Sequence, residues 1–133
     1  MIVALPAAPP ALVALAACQG ADPAITNVAT TESSNGGLSL YTLHVTVTNV
    51  GSSGQRSNVL QSVAIWVDGE KRGEKGLPPL AAGANYTFPY DVQRAPDAAT
   101  GSTRVDLHLI MHQPAGVSSQ HCSVANDSQR VRV

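Results

Sequence analysis

The chain has 133 residues, of which 44% are apolar, and its formal net charge at neutral pH is −1. This length is typical of a single domain, and the apolar fraction is large enough to build a core, which excludes a disordered polymer. A phosphate-binding surface needs clustered Lys and Arg, and the basic residues of segment 70–75 are nearly neutralised by two glutamates, so no nucleic-acid partner is expected.

The first 17 residues, MIVALPAAPPALVALAA, are uncharged, small and apolar. They are too few to span a bilayer, which takes about 20 apolar residues, but they have the apolar core of a secretory signal. The sequence Leu15-Ala16-Ala17-Cys18 resembles the lipobox of bacterial lipoproteins, although no basic residue precedes the apolar core. The resemblance implies a leader over residues 1–17 and lipidation of Cys18, followed by a short tether over 18–23. It also implies a membrane-anchored location in the cell envelope, outside the cytoplasm; a cleaved ordinary signal or an unstructured leader is the alternative.

The chain has two cysteines, Cys18 and Cys122. A disulfide between them would close a loop of about 100 residues and contribute about 4–5 kcal/mol in the chain-entropy model. Lipidation of Cys18 excludes this disulfide and leaves Cys122 as a lone thiol. The two hypotheses are therefore mutually exclusive.

Beyond the leader, short runs of alternating apolar and polar residues are separated by turn residues, a pattern typical of half-buried β-strands. Residues 24–30 predict a weak first strand, and residues 31–37, TESSNGG, predict a loop. Residues 38–50 predict the strongest strand. Its expected core face consists of Tyr41, Leu43, Val45 and Val47.

A hairpin is predicted next. Residues 59–67 form a strand, Asp68-Gly69 forms a two-residue turn with positive φ at both positions, and residues 70–75 return as a charged, exposed edge strand. The core face of residues 59–67 is expected to contain Val63, Ile65 and Val67. Leu80 is expected to enter the core, and Gly83 to form a turn.

Three more strands are predicted over residues 85–92, 103–112 and 130–133. Pro89 places the first of them at a sheet edge or a bulge. Its apolar face would contain Tyr86, Phe88, Tyr90 and Val92; that of the next strand would contain Val105, Leu107, Leu109 and Met111. The seven short strands predict an all-β fold, namely an immunoglobulin-like β-sandwich of about seven antiparallel strands.

Four segments in this order resemble the CARDB domain: HVTVTNVG, IWVDGEKRGE, LPPLAAGANYTF and VANDSQRVRV. The resemblance covers residues 24–133, and its most specific positions are Asn49, Gly51, Asp68, Gly69, Leu80, Gly83 and Asn126. It implies an immunoglobulin-like sandwich with a role in bacterial cell adhesion. Asn49 and Asn126 can cap strand ends through bonds from side chain to backbone. Members commonly carry acidic residues in the loop that corresponds to 112–125, but HQPAGVSSQHCSVA has none, which argues against a cation there.

Neither a metal site nor a cofactor is predicted. His108 and His112 lie four residues apart on one strand, so their Cα atoms are about 13 Å apart and cannot easily share one ion. The segment GSSG at 51–54 lacks the spacing of a serine-nucleophile elbow. His121 and Cys122 are adjacent and point to opposite sides of an extended chain, which argues against a catalytic pair.

Trp66 is the residue most indicative of function, because it falls on the polar side of its strand. If the third and sixth strands are neighbours, as in immunoglobulin folds, the outer face carries a patch of Trp66, His108, Ile110 and His112. Exposed tryptophan is enriched in binding hot spots. Cover by the leader or a loop is the alternative.

The sequence therefore predicts a non-catalytic, lipid-anchored binding or adhesion module of the bacterial cell envelope. Its partner would be a protein or glycan at the cell surface. One alternative is a structural spacer or assembly subunit that pairs through an exposed edge strand such as residues 70–75. A small secreted enzyme using His121 or Cys122 is a further alternative.

Overall fold

The structure is a computed structural model that describes residues 20–35, 38–95, 97–112 and 127–133. These residues form seven β-strands and no helix: β1 (Pro23–Asn35), β2 (Leu38–Asn49), β3 (Leu60–Val67), β4 (Glu70–Leu77), β5 (Asn85–Arg94), β6 (Arg104–His112) and β7 (Ser128–Arg132). The predicted all-β, seven-stranded fold is confirmed.

The strands form two antiparallel sheets, one with the order β1-β2-β5 and the other with the order β4-β3-β6-β7. The prediction that the third and sixth strands are neighbours is confirmed by the β3–β6 pairing. β4 lies at a sheet edge, as its charge and exposure predicted. β5 lies at the edge of the other sheet, where Pro89 costs no interior ladder bond.

The core fills the space between the two sheets and follows the predicted alternation. The inward residues of β2, β3 and β6 are almost fully buried: Leu43, Val45, Val47, Val63, Ile65, Val105 and Leu107. Phe88 contributes from β5, and Leu80 enters the core after the two prolines at 78–79, as predicted. Val67 and Met111, both predicted to face inward, are only partly buried because they lie near strand ends.

The predicted loop over residues 31–37 is wrong for residues 31–35. β1 is 13 residues long and pairs with β2 from Pro23 to Asn35, so that strands β1 and β2 form one long hairpin. The Tyr41 hydroxyl donates a 3.0 Å hydrogen bond to Glu32 and thereby holds this polar end of β1 to β2. The pairing with β2, rather than any apolar pattern of its own, makes this segment a strand.

The turn residues behave as predicted where they are described. Asp68 has φ 50° and Gly69 has φ 84°, the two positive values of the tight β3–β4 turn. Gly83 has φ 78° in the connection to β5. Asn126, the second predicted strand cap, lies outside the described residues.

Asn49 does more than cap the end of β2. Its fully buried amide uses all four of its hydrogen-bonding positions: Oδ1 accepts from the backbone N–H groups of Asp22 (2.9 Å) and Gly51 (3.0 Å), and Nδ2 donates to the carbonyls of Ser53 (2.8 Å) and Leu80 (3.0 Å). One side chain therefore joins the start of β1, the loop after β2 and the connection before β5. Gly51 is required beside it, because a Cβ there would lie 2.7 Å from the backbone nitrogen of Asp22.

Candidate functional site

Trp66 lies on the outer face of the four-stranded sheet, next to the turn between β3 and β4. It is 36% exposed, whereas its neighbour Ile65 points inward and is fully buried. A bulge in β4 places Lys71 opposite Trp66 and Gly73 opposite Ile65, so the extra residue, Arg72, belongs to β4. Because β3 keeps its regular alternation through the bulge, the outward position predicted for Trp66 is the observed one.

The β3–β6 register places Trp66, His108 and Ile110, three of the four predicted patch residues, on the same face. Trp66 is opposite Asp106, and the three following outward positions of β6 are opposite Ala64, Ser62 and Leu60. His108 is exposed and lies diagonally next to Trp66, whereas Ile110 is half-buried and occupies the next outward position along β6. His112 is aligned with Leu60, and its side chain lies outside the described residues. The outer face of β3 and β6 is therefore an elongated strip, which runs from Trp66 to Leu60, rather than one compact patch.

The middle of the strip is buried, so the exposed residues Trp66 and Leu60 at its two ends are separated from each other. Ala64 is 1% exposed and Ser62 is 6% exposed, although both lie on the outer face. The Ser62 hydroxyl donates to Glu74 on β4 at 2.7 Å. Leu60, at the far end, is 68% exposed and was not predicted as a site residue, although its even spacing from Trp66 was sufficient to identify it.

A charged cluster that the sequence did not predict lies beside Trp66. Asp106 accepts from Arg104 Nε at 3.0 Å and from Arg130 Nε at 2.7 Å, and its side chain is 15% exposed. The bond from Arg130 is the main reason that the pKa of Asp106 lies below its ordinary value of 3.8; burial opposes this shift, and Arg104 adds to it. The cluster is thus a carboxylate that stays ionised and orients two arginines.

Asp106→Asn is expected to lower the free energy of unfolding by about 1 kcal/mol at neutral pH. The folded-state pKa of Asp106 is lowered, so its ion pairs stabilise the fold fully above the unfolded-state pKa, and this stabilisation is lost as the pH falls through the lower folded-state value. Urea unfolding of both proteins, near neutral pH and in steps below about pH 4, should show the difference disappearing in acid. The exposed loop residue Asp97 gives the control variant Asp97→Asn, for which little difference is expected. A difference that stays constant with pH would contradict the assignment.

Two shallow concavities lie on either side of the strip. One, of about 360 Å³, is lined by residues of β6 and β7: Asp106, His108, Ser128, Gln129 and Arg130. The other, of about 430 Å³, lies between β3 and β4 and includes Leu60 and Ser62. Both volumes are within the range of small-ligand sites, about 300–1,000 Å³.

The other predicted chemical residues are dispersed or lie outside the described residues. His44 is on the outer face of the three-stranded sheet, whereas His108 is on that of the four-stranded sheet, so the two cannot share an ion. Within the described part of the chain, no three His, Cys, Asp or Glu residues form a group able to hold a metal. Cys18, His121 and Cys122 lie outside the described residues. No helix of a length and hydrophobicity sufficient to cross a membrane occurs in residues 20–35, 38–95, 97–112 or 127–133.

The described residues thus form an immunoglobulin-like β-sandwich whose four-stranded sheet carries an exposed tryptophan on its outer face. No protein-family model matches the sequence, and a search of curated proteins gave no match. Among solved structures, the chain is similar to the crystal structure of the CARDB domain of the PF1109 protein from Pyrococcus furiosus, determined in complex with di-metal ions. The TM-score is 0.56 at 15% identity, and the alignment covers 87% of this chain and 89% of that chain. This similarity supports a CARDB-like fold.

Proposed function

We propose that this protein is a non-catalytic binding module of the bacterial cell envelope that engages a surface protein or glycan through the outer face of its four-stranded sheet. The observation that carries this proposal is the exposure of Trp66 on the outer face of β3, an interior strand of its sheet. The CARDB-like fold supports it, since the family resemblance implies a role in adhesion.

The exposed part of Trp66 sets the size of the expected effect. A tryptophan side chain has roughly 200–250 Å² of surface, and with 36% exposed about 80 Å² remains for a partner to cover. At about 25 cal/mol per Å² this burial is worth about 2 kcal/mol, or about thirtyfold in affinity. The larger covered part of the indole contributes to stability instead.

Trp66→Leu is expected to preserve the fold and to weaken binding by about tenfold to thirtyfold. Leucine keeps apolar cover over the sheet beside Asp106 but removes the exposed indole face. Binding is measured as the surface-plasmon response of a solubilised bacterial envelope fraction over the immobilised domain. Val50→Ala, at a 53% exposed position after β2, is the matched control and should bind as the wild type does. Equal binding by Trp66→Leu and wild type would contradict the proposal.

The membrane attachment in this proposal depends on Cys18, the cysteine of the lipobox-like sequence. We expect the protein from a bacterial membrane fraction to have the intact mass of residues 18–133 plus diacylglycerol and an acyl chain. Cys18→Ser should move the protein into the soluble fraction, because its thioether link to lipid cannot form. A mass that includes the leader, or one that shows a Cys18–Cys122 disulfide, would contradict lipidation.

A second candidate function is assembly through β4. This strand lies at the edge of its sheet, and residues 70–72 and 74–76 are exposed, so its outer backbone edge faces solvent. A partner strand would pair there by main-chain hydrogen bonds. Arg72→Pro, at the bulge position, should abolish such pairing and leave binding at Trp66 intact. The same envelope-fraction assay distinguishes the two candidates.

A further inference from the structure

The charge of the domain is concentrated on the sheet that carries Trp66. Six of the eight Lys and Arg residues lie on its strands: Lys71, Arg72, Lys75, Arg104, Arg130 and Arg132. Four acidic residues lie on these strands and their turn, namely Asp68, Glu70, Glu74 and Asp106. A chain with a net charge of −1 therefore has one sheet with an excess of positive charge.

Three arginines share the outer face of this sheet at the end where Trp66 lies. Arg104 is opposite Arg132, and Asp106 is opposite Arg130. Arg104 and Arg130 both contact Asp106 through Nε, and their side chains remain 37% and 58% exposed. Within the described part of the chain, the terminal Nη groups of these two arginines make no hydrogen bond. Their N–H donors can therefore bind an anion.

The arginines and the indole are close enough to contact one small ligand. Trp66, Asp106 and Arg130 lie in one row across β3, β6 and β7. Because Arg130 reaches Asp106 at 2.7 Å, its guanidinium lies beside β6, which is about 5 Å from the strand of Trp66. The 360 Å³ concavity continues from this row along β6 and β7, where it is lined by the polar residues His108, Ser128 and Gln129.

We infer that this row binds an acidic saccharide, with a sugar ring stacked on Trp66 and its carboxylate held by Arg130 and Arg104; this inference rests on the proposed function. A sugar has an apolar C–H face suited to an indole and hydroxyl groups suited to the polar lining. Arginine pairs with a carboxylate through two parallel N–H donors. Asp106 positions Arg130 by holding its Nε.

The position of the row argues against an added peptide strand as its ligand. β3 and β6 are the two interior strands of the sheet, and the backbone of each is already paired on both sides. A ligand over them can therefore be recognised only through side chains, whereas strand addition needs a free sheet edge. A long nucleic acid is disfavoured by the acidic residues interspersed with the basic ones.

The test uses the single tryptophan of the chain as the reporter. Oligogalacturonate is titrated into the protein, and Trp66 fluorescence and calorimetric heat are recorded, with the uncharged oligogalactose as the matched probe. We expect the acidic oligomer to change the fluorescence and to bind at least about tenfold more tightly than the neutral one, with affinity falling as salt is added.

The matched variants are Arg130→Gln and Arg72→Gln, which change the net charge equally. Arg130→Gln should weaken binding of oligogalacturonate by at least about tenfold, whereas Arg72→Gln, at the β4 bulge, should have little effect. The inference would be overturned if the two variants had equal effects or if the two oligosaccharides bound equally well. It would also be overturned if the nucleic-acid probe oligo-dT bound more tightly than oligogalacturonate, or if oligogalacturonate did not bind at millimolar concentration. In each of these cases, continued sensitivity of envelope binding to Trp66→Leu would leave the proposed function standing. Insensitivity to Trp66→Leu would overturn the proposed function instead.

Discussion

Replacing Asn49 with alanine is expected to lower the free energy of unfolding by about 4 kcal/mol or more, because four hydrogen bonds are lost at about 1 kcal/mol each and buried groups are left unsatisfied. The amide is fully buried and is bonded to Asp22, Gly51, Ser53 and Leu80. The result is read from the urea midpoints of wild type and variant at a common slope.

Thr48→Ala is the control for Asn49→Ala. Thr48 is the preceding residue of β2, and its hydroxyl makes one exposed hydrogen bond, of 2.8 Å, to Thr26. Its loss should cost less than about 1 kcal/mol. If the two variants lowered stability equally, Asn49 would be an ordinary strand-end residue and not the junction of three segments.

The sequence was sufficient to predict most of the fold because each interior strand carries large, buried apolar residues at every second position. β2, β3 and β6 each have one core face, and a one-residue shift would expose all of it, so their patterns identified both strand and facing. The end of β1 had no such pattern. Residues 31–33 are exposed on the edge strand and are held by pairing with β2, a tertiary contact that local composition does not encode.

In the candidate site, the facing of residues on single strands was predictable, whereas the contacts between strands were not. The alternation of β3 was enough to place Trp66 outward, and the immunoglobulin-like strand order was enough to place His108 and Ile110 on the same face. The ion pairs of Asp106 were not predictable, because Arg130 lies 24 residues away and the register of β6 with β7 follows from the pairing of strands. The carboxylate between two arginines is visible only once β6 and β7 are aligned.

Phe88→Ala is expected to lower the free energy of unfolding by about 3–5 kcal/mol, the range for an aromatic residue removed from a core. Phe88 is 1% exposed, lies opposite Val45 of β2, and is the largest fully buried side chain of the described residues. β5 is paired on one side only, so its attachment to the sandwich depends strongly on this contact with the core. A domain with a total stability of about 5–15 kcal/mol would be close to unfolding after this loss.

The neighbouring position supplies the control for Phe88→Ala on the same strand. Thr87 points outward, and its hydroxyl makes a 2.8 Å hydrogen bond to Thr46. Thr87→Ala should therefore cost less than about 1 kcal/mol and leave the melting temperature within a few degrees of the wild type. Phe88→Ala should lower it by about 15 °C or more, as followed by circular dichroism or calorimetry. Similar melting temperatures for both variants would mean that the two sheets do not enclose a common core at β5, contrary to the sandwich architecture.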